Sequence, residues 1–193
     1  KYMQRRRWCD LNLSKTKPAL VAGLVGLCLQ SNVNGQSWTS NSNPNWNVAA
    51  NWSALPVSGP TTVLTVGTSS PVGTQQNLGN PFVLNSMTGW ATLNGNALSF
   101  AGTNAFCNSK NNAQINVRLI LTVDTAFLGG SFGADSVKLN SGVSGVGKFK
   151  VTGGYIKLAS AATHTGGVEV QGGNLSVAVA NALPPTGEIA VVY

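Results

Sequence analysis

The sequence predicts an all-β protein built as a repeating solenoid, and three observations support this fold class. Glycine supplies 23 of the 193 residues while charged residues make up only 9%, a composition typical of turn-rich β structure. Short runs of alternating apolar and polar residues recur within residues 141–192. Gly-Gly pairs at 153–154, 166–167 and 172–173 separate these runs. Very short strands with one apolar face can stack as turns that bury their inner side chains against each other.

The clearest alternation lies in residues 148–151 and 155–158, where apolar side chains take every second position. One face of each strand is therefore apolar, and lysines and other polar groups occupy the opposite face. The same period of two returns in residues 168–170 and 175–179. The inward-facing side chains of the first two runs are predicted to be Phe149, Val151, Ile156 and Leu158.

Residues 147–184 resemble one autotransporter-associated β-strand repeat, a unit of the passenger regions of large bacterial surface and secreted proteins. The most specific part of the resemblance is Thr-Gly-Gly at 165–167, followed by a second Gly-Gly and a leucine at 172–175. The resemblance implies a right-handed parallel β-helix outside the cytoplasm, with a structural or adhesive role and no enzymatic activity. Its structural glycines would be Gly153, Gly154, Gly166, Gly167, Gly172 and Gly173.

The beginning of the chain has the layout of a secretory signal peptide. Six of the twelve basic residues lie within residues 1–17, and an uncharged apolar run of eleven residues follows at 19–29. A helix needs about 20 residues to cross the hydrocarbon core of a membrane, so this run is too short for a permanent span. We therefore expect residues 1–35 to be cleaved and the mature protein to be secreted or placed on the bacterial outer surface.

Charge in the remaining chain is nearly balanced, with six basic and four acidic residues after residue 35. This balance lacks the basic surface expected of a nucleic-acid-binding protein. The predicted partner is instead a cell-surface or extracellular polysaccharide. The family resemblance also implies further repeats and a C-terminal anchoring or translocation domain, and the sequence stops inside an apparent strand at 188–193.

Residues 36–60 form a segment rich in tryptophan and asparagine. An opening such as Asn-Trp-Asn-Val-Ala-Ala-Asn-Trp at 45–52 often begins the mature part of proteins with these repeats. Bulky aromatic rings could cap the exposed apolar end of a solenoid. Alternatively, flat indole faces beside amide groups could stack on sugar rings, because exposed aromatic patches often mark binding surfaces. The candidate carbohydrate-stacking residues are Trp38, Trp46, Trp52 and Trp90.

We expect residues 61–193 to form one elongated domain with turns of roughly 20 residues. Arg118 lies between two apolar neighbours and is expected to point outward, although it could also bind an anion. The asparagine-rich stretch 108–116 is expected to form ladders or loops. Candidate strands in the central part are residues 62–66, 82–87, 97–100, 115–123 and 137–139.

No group of residues in this sequence predicts catalysis, a cofactor or a metal site. Cys107 and the single histidine, His164, lie 57 positions apart, without an acidic motif beside either. Cys107 is predicted to be a small buried or loop residue, and His164 a polar corner residue. A glycoside hydrolase needs two carboxylates about 5 to 10 Å apart. Asp124 and Asp135 are the nearest pair in the sequence, and they could meet only if a corner of the chain folded back. We therefore expect a protein that is not an enzyme.

Overall fold

In the part of the chain that the computed structural model describes, almost all regular structure is β-strand. The described part of the chain comprises residues 35–39, 43–66, 73–89, 92–109, 112–130 and 136–192. Its one helix is a single 3-10 turn, Ala49–Asn51. The predicted signal peptide, apart from its last residue, lies outside the described residues.

Parallel strands form three rows that follow the long axis of a β-solenoid of about six turns. The first row contains β1 (Gln36–Ser37), β2 (Val63–Val66), β5 (Ser86–Gly89), β8 (Phe106–Ser109), β11 (Thr125–Leu128), the first half of β14 (Phe149–Leu158), the first half of β15 (Val168–Val177) and β16 (Ile189–Val191). The second row contains β3 (Thr74–Gln76), β6 (Thr92–Gly95), β9 (Gln114–Ile115), β12 (Val137–Leu139) and the second halves of β14 and β15. The third row contains β4 (Phe82–Leu84), β7 (Leu98–Phe100), β10 (Leu119–Leu121) and β13 (Val143–Gly145). The predicted parallel β-solenoid is confirmed.

The length of one turn can be read from the register of neighbouring strands in the first row. Thr125 lies opposite Phe149, and Phe149 lies opposite Val168, so the earlier of these two turns is the longer one. Both steps agree with the turn length of roughly 20 residues that short-repeat solenoids share. The register within these two pairs shifts only at Phe127/Leu128 and between Val151 and Tyr155, close to the bend from the first row into the second.

The core consists of columns of inward-facing side chains, one from each turn. In the first row Leu64, Met87, Cys107 and Phe127 follow one another in register and are all buried. Phe127 also stacks on Phe149 of the next turn, with ring centroids 4.2 Å apart. Parallel pairing brings equivalent positions of successive turns together, so a repeated apolar position becomes a continuous buried column.

Two predicted strands are each divided by a corner. The run 82–87 becomes β4 and β5 with Asn85 between them, and the run 115–123 yields the last residue of β9 and all of β10. Val117 lies at the second corner yet is buried, which made the run look like one continuous strand. Arg118 is exposed, as predicted, and Leu119 is buried.

Candidate functional site

The described residues of the segment 36–59 form backbone hydrogen bonds with β2, β3 and β4. Backbone hydrogen bonds run from Trp38 N–H to the Thr65 carbonyl (2.8 Å), from Trp46 N–H to the Gln75 carbonyl (2.9 Å) and from Gly59 N–H to the Val83 carbonyl (2.9 Å). These three bonds reach β2, β3 and β4 in turn. The segment therefore pairs with the N-terminal edge of all three rows.

The tryptophans of this segment pack against one another in edge-to-face geometry. The ring centroids of Trp38 and Trp52 are 5.0 Å apart, and those of Trp46 and Trp52 are 5.3 Å apart. Trp46 also contacts Phe82 of β4 at 5.9 Å, which joins the cluster to the core. The Trp52 indole N–H donates a hydrogen bond to the Trp46 carbonyl at 2.9 Å. Edge-to-face pairs at these distances add to the stabilisation from burial.

Burial differs among the candidate carbohydrate-stacking residues. Trp46 and Trp52 belong to the core, whereas Trp38 remains half-buried. Trp90 lies outside the described residues. The rings of Trp46 and Trp52 are occupied by protein contacts, so Trp38 is the described indole with surface left for a ligand. The stacking role stays a prediction.

The repeat glycines mark bends where successive turns approach closely. Gly154 and Gly173 have φ values of +71° and +74°, a region that glycine enters without steric cost. A Cβ atom on Gly173 would lie 2.2 Å from the Gly154 carbonyl oxygen. Gly153-Gly154 and Gly172-Gly173 therefore let the first row bend into the second within one continuous strand.

Cys107 and His164 do not form a catalytic pair. Cys107 lies opposite Phe127, and the Phe127 ring stacks on Phe149. The His164 ring lies on the far side of this contact path, with its centroid 6.2 Å from that of Phe149. Burial raises the pKa of the Cys107 thiol to about 12, which keeps it protonated and a poor nucleophile.

His164 lies between β14 and β15 beside the bend at residues 165–166, as expected of a corner residue, but its burial was not predicted. The side chain is buried beside Phe149, and Nε2 lies 3.2 Å from the Gly167 carbonyl oxygen. Desolvation lowers the pKa of the imidazole, and the backbone groups of Gly167 and Val143 oppose this effect. The threonines on both sides of His164 are exposed, so alternation turns the histidine inward.

The described carboxylates of Asp124 and Glu169 form ion pairs on the first row. Asp124 Oδ2 lies 2.8 Å from Lys150 Nζ, and Glu169 Oε2 lies 3.1 Å from Lys148 Nζ. Hydrogen bonds from the Lys150 side chain and the Lys148 backbone lower the pKa of Asp124. Asp135, the other half of the candidate hydrolase pair, lies outside the described residues.

A ladder of asparagines, foreseen only as a possibility for residues 108–116, runs along the edge of the second row. The Asn116 amide donates to Asn94 Oδ1 at 2.8 Å, and the Asn140 amide donates to Asn116 Oδ1 at 2.8 Å. The same face carries Lys138 and Lys157, which lie in register on β12 and β14. Sequence reasoning missed this amide and lysine face. Its signal was the spacing of Asn94, Asn116 and Asn140 by about one turn.

Within the described ranges, no three His, Cys, Asp or Glu side chains are placed to share a metal ion. The same ranges contain no helix that is long and apolar enough to cross a membrane. No protein-family model, curated protein or solved structure matches this chain.

Proposed function

We propose that this chain is a non-catalytic structural segment of a secreted or cell-surface, passenger-type protein with an adhesive role. In this view the stacked turns form a stiff spacer, and further turns of the same kind continue the stack. The parallel β-solenoid is compatible with such a segment, and the motif at 147–184 resembles the repeats of bacterial passenger regions.

The observation that carries the proposal is the exposure of inward positions in the last turn. Val177 lies in register with Leu158, yet Val177 is 47% exposed and Leu158 is 2% exposed. Ile189 lies in register with Val168, and their exposed fractions are 54% and 0%. These side chains have the alternation of core residues, but within the described residues no further turn lies against them. A further parallel turn would bury them and would pair with the outer edge of β16.

The glycine bends support continuation of the stack. Gly173 packs on Gly154 of the preceding turn, and Gly172 lies opposite Thr152 in the strand register. The glycine bend of one turn can therefore contact the bend of a following turn in the same way as it contacts the bend of the preceding turn. A repeat of this kind can be added without a change in corner geometry.

An extended variant tests the proposal. A second copy of residues 171–191, inserted after Val191, repeats the step in sequence that relates Val168 to Ile189. Burial of two aliphatic side chains should raise the free energy of unfolding by about 2 kcal/mol or more, measured by guanidinium titration. The control carries the same inserted segment in scrambled order. Equal stabilities of the two variants would contradict the proposal.

The proposal also includes export. Expression of the chain in a bacterium, followed by mass spectrometry of the periplasmic and medium fractions, should yield a product that lacks the basic leader and begins near residue 36. An uncleaved chain confined to the cytoplasm would contradict this part of the proposal.

An extracellular carbohydrate-binding module is the second candidate, and the partial exposure of Trp38 favours it. Titration with soluble plant, algal and bacterial polysaccharides should then shift the tryptophan fluorescence, and Trp38→Ala should remove the shift. Trp38→Phe is the control, because it keeps an aromatic face. The absence of any shift across these polysaccharides would exclude the tryptophan-based module.

A further inference from the structure

Charge is balanced on the first row of strands. Lys148 pairs with Glu169 and Lys150 pairs with Asp124. Glu188 also acts on Lys148 electrostatically, so it belongs to the same region. The described ranges contain three side-chain carboxylates, those of Asp124, Glu169 and Glu188. Each of them offsets positive charge on the lysines of the first row. Among the described residues, the first row therefore keeps little positive charge for a partner.

On the second row, the lysines have no such ion pairs with other described residues. Lys138 of β12 lies in register with Lys157 of β14, and each is flanked by two buried residues, so both side chains point outward. Neighbouring strands are about 4.8 Å apart, which holds the two ammonium-bearing stems side by side. In the described part of the chain, no carboxylate forms an ion pair with either lysine. The described residues therefore leave the charge of both lysines for an anionic ligand.

The asparagine ladder adds fixed polar groups to this face. Asn140 lies two residues after Lys138, which places both on the outer side of the second row. The Asn140 amide donates to both Asn116 and Gln114, at 2.8 and 3.1 Å. Asn116 uses one amide proton for Asn94, and an amide has a second proton to donate. The ladder therefore holds its amides in place while donors remain for a ligand.

We propose that this face, defined by Asn94, Gln114, Asn116, Lys138, Asn140 and Lys157, binds an acidic polysaccharide. The lysines would contact carboxylates of successive uronic acid units, and the amides would exchange hydrogen bonds with sugar hydroxyls. A flat parallel row matches an extended chain, because both repeat the same groups at regular intervals. Arg118, exposed at the corner two residues beyond Asn116, can contribute a further cation.

Charge complementarity favours an acidic glycan over a nucleic acid as the occupant. Nucleic-acid-binding surfaces cluster Lys and Arg along a stripe that neutralises many phosphates. Here two lysines lie beside a ladder of neutral amides, a mixture suited to a ligand with one charge and several hydroxyls per unit. The proposal does not depend on the structural role given above, since it concerns the side of the solenoid and not its end.

Binding of the 193-residue chain to polygalacturonate provides the test, with dextran as the neutral control polysaccharide. The double variant Lys138→Gln/Lys157→Gln should weaken the affinity at least about tenfold, because each lysine loses a charge-assisted contact. The matched control, Lys148→Gln/Lys150→Gln, removes the same charge from the first row and should bind nearly as well as wild type. Circular dichroism checks that both variants are folded.

Three results would overturn the proposal. Wild-type protein could fail to distinguish polygalacturonate from dextran. The two double variants could lose affinity equally, which would indicate attraction to net charge alone. Single-stranded poly(dT) could bind more tightly than polygalacturonate through Lys138 and Lys157, which would assign the face to nucleic acid instead.

Discussion

The two ends of the solenoid differ in what covers the inward-facing side chains of the outermost turn. At the N-terminal end, the described residues of the segment 36–59 pair with β2, β3 and β4, and Trp46 is completely buried against Phe82. At the C-terminal end, β16 pairs only with β15 within the described residues, and Ile189 remains 54% exposed. The stack of parallel strands thus ends in an aromatic cluster at its N-terminal end and in exposed aliphatic side chains at its C-terminal end.

This difference shows that the inward-facing apolar side chains of a turn are buried only where another turn packs against them. In a solenoid each turn contacts its neighbours alone, so its stability depends on what lies immediately above and below. We therefore expect stability to be graded along the axis, with the aromatic end opening last and β16 first. The predictions below test that gradient.

The largest effect is expected at the aromatic end. Trp46→Ala should lower the free energy of unfolding by about 3 to 5 kcal/mol, because it removes a fully buried side chain and the contacts with Trp52 and Phe82. Guanidinium unfolding followed by far-ultraviolet circular dichroism measures the change. Val191→Ala at the other end is the control, and a loss of similar size there would contradict the graded stability.

An intermediate effect is expected at the bend between the first and second rows. Gly154→Ala should cost about 1 to 3 kcal/mol, because φ is +71° and the new Cβ would lie 2.4 Å from the Gly129 carbonyl oxygen. Gly172→Ala is the matched control, since its Cβ would lie 3.2 Å from the nearest atom and its φ is not in the left-handed region. Thermal unfolding of the two variants should rank them in that order. The reverse ranking would argue against turn-on-turn packing of the glycines.

A pH-dependent effect is expected near the C-terminal turns. Burial lowers the folded-state pKa of His164, so the unfolded chain binds more protons than the folded one. The free energy of unfolding therefore falls as the pH drops below about 6.5, the ordinary pKa of histidine. His164 is the single histidine, and the lowered pKa values of Asp124 and Glu169 keep those carboxylates ionised in this range. The His164→Gln variant should therefore lose most of the pH dependence between pH 7 and 5.5.

Hydrogen exchange locates this effect along the axis. At pH 5.5 the amides of β15, which begins directly after Gly167, the hydrogen-bond partner of His164, should lose protection relative to pH 7. The amides of β2, near the aromatic end of the same row, should keep theirs. Equal loss of protection in both strands would mean that the solenoid opens as one unit and that the ends do not differ in stability.

The sequence predicted the solenoid and many core positions because alternation and glycine pairs are local signals. Phe149 and Val151 could be assigned to the interior from their own neighbours alone. Corners are harder, because an apolar residue such as Val117 turns inward at a bend just as it would within a strand. The run 115–123 was therefore predicted as one strand, and its corner became visible only in three dimensions.

The polar face of the second row depends on register between turns, which local patterns do not fix. The step from Thr125 to Phe149 is longer than the step from Phe149 to Val168, so no constant period aligns the chain with itself. To predict that Lys138 and Lys157 are neighbours, one would have needed the number of residues between equivalent positions of their two turns. The burial of His164 escaped prediction for a different reason: a polar side chain next to a glycine pair is typical of a corner.

The smallest effect is expected at the C-terminal end. The double variant Ile189→Thr/Val191→Thr should change the free energy of unfolding by less than about 0.5 kcal/mol, because both side chains are already exposed to water. Val168→Thr, at the covered position in register with Ile189, should cost about 1 to 3 kcal/mol, since its hydroxyl would be buried without a partner. Chemical denaturation of both variants measures this contrast. If the double variant lost as much stability as Val168→Thr, some other part of the chain would have to cover this end, and the difference between the two ends would disappear.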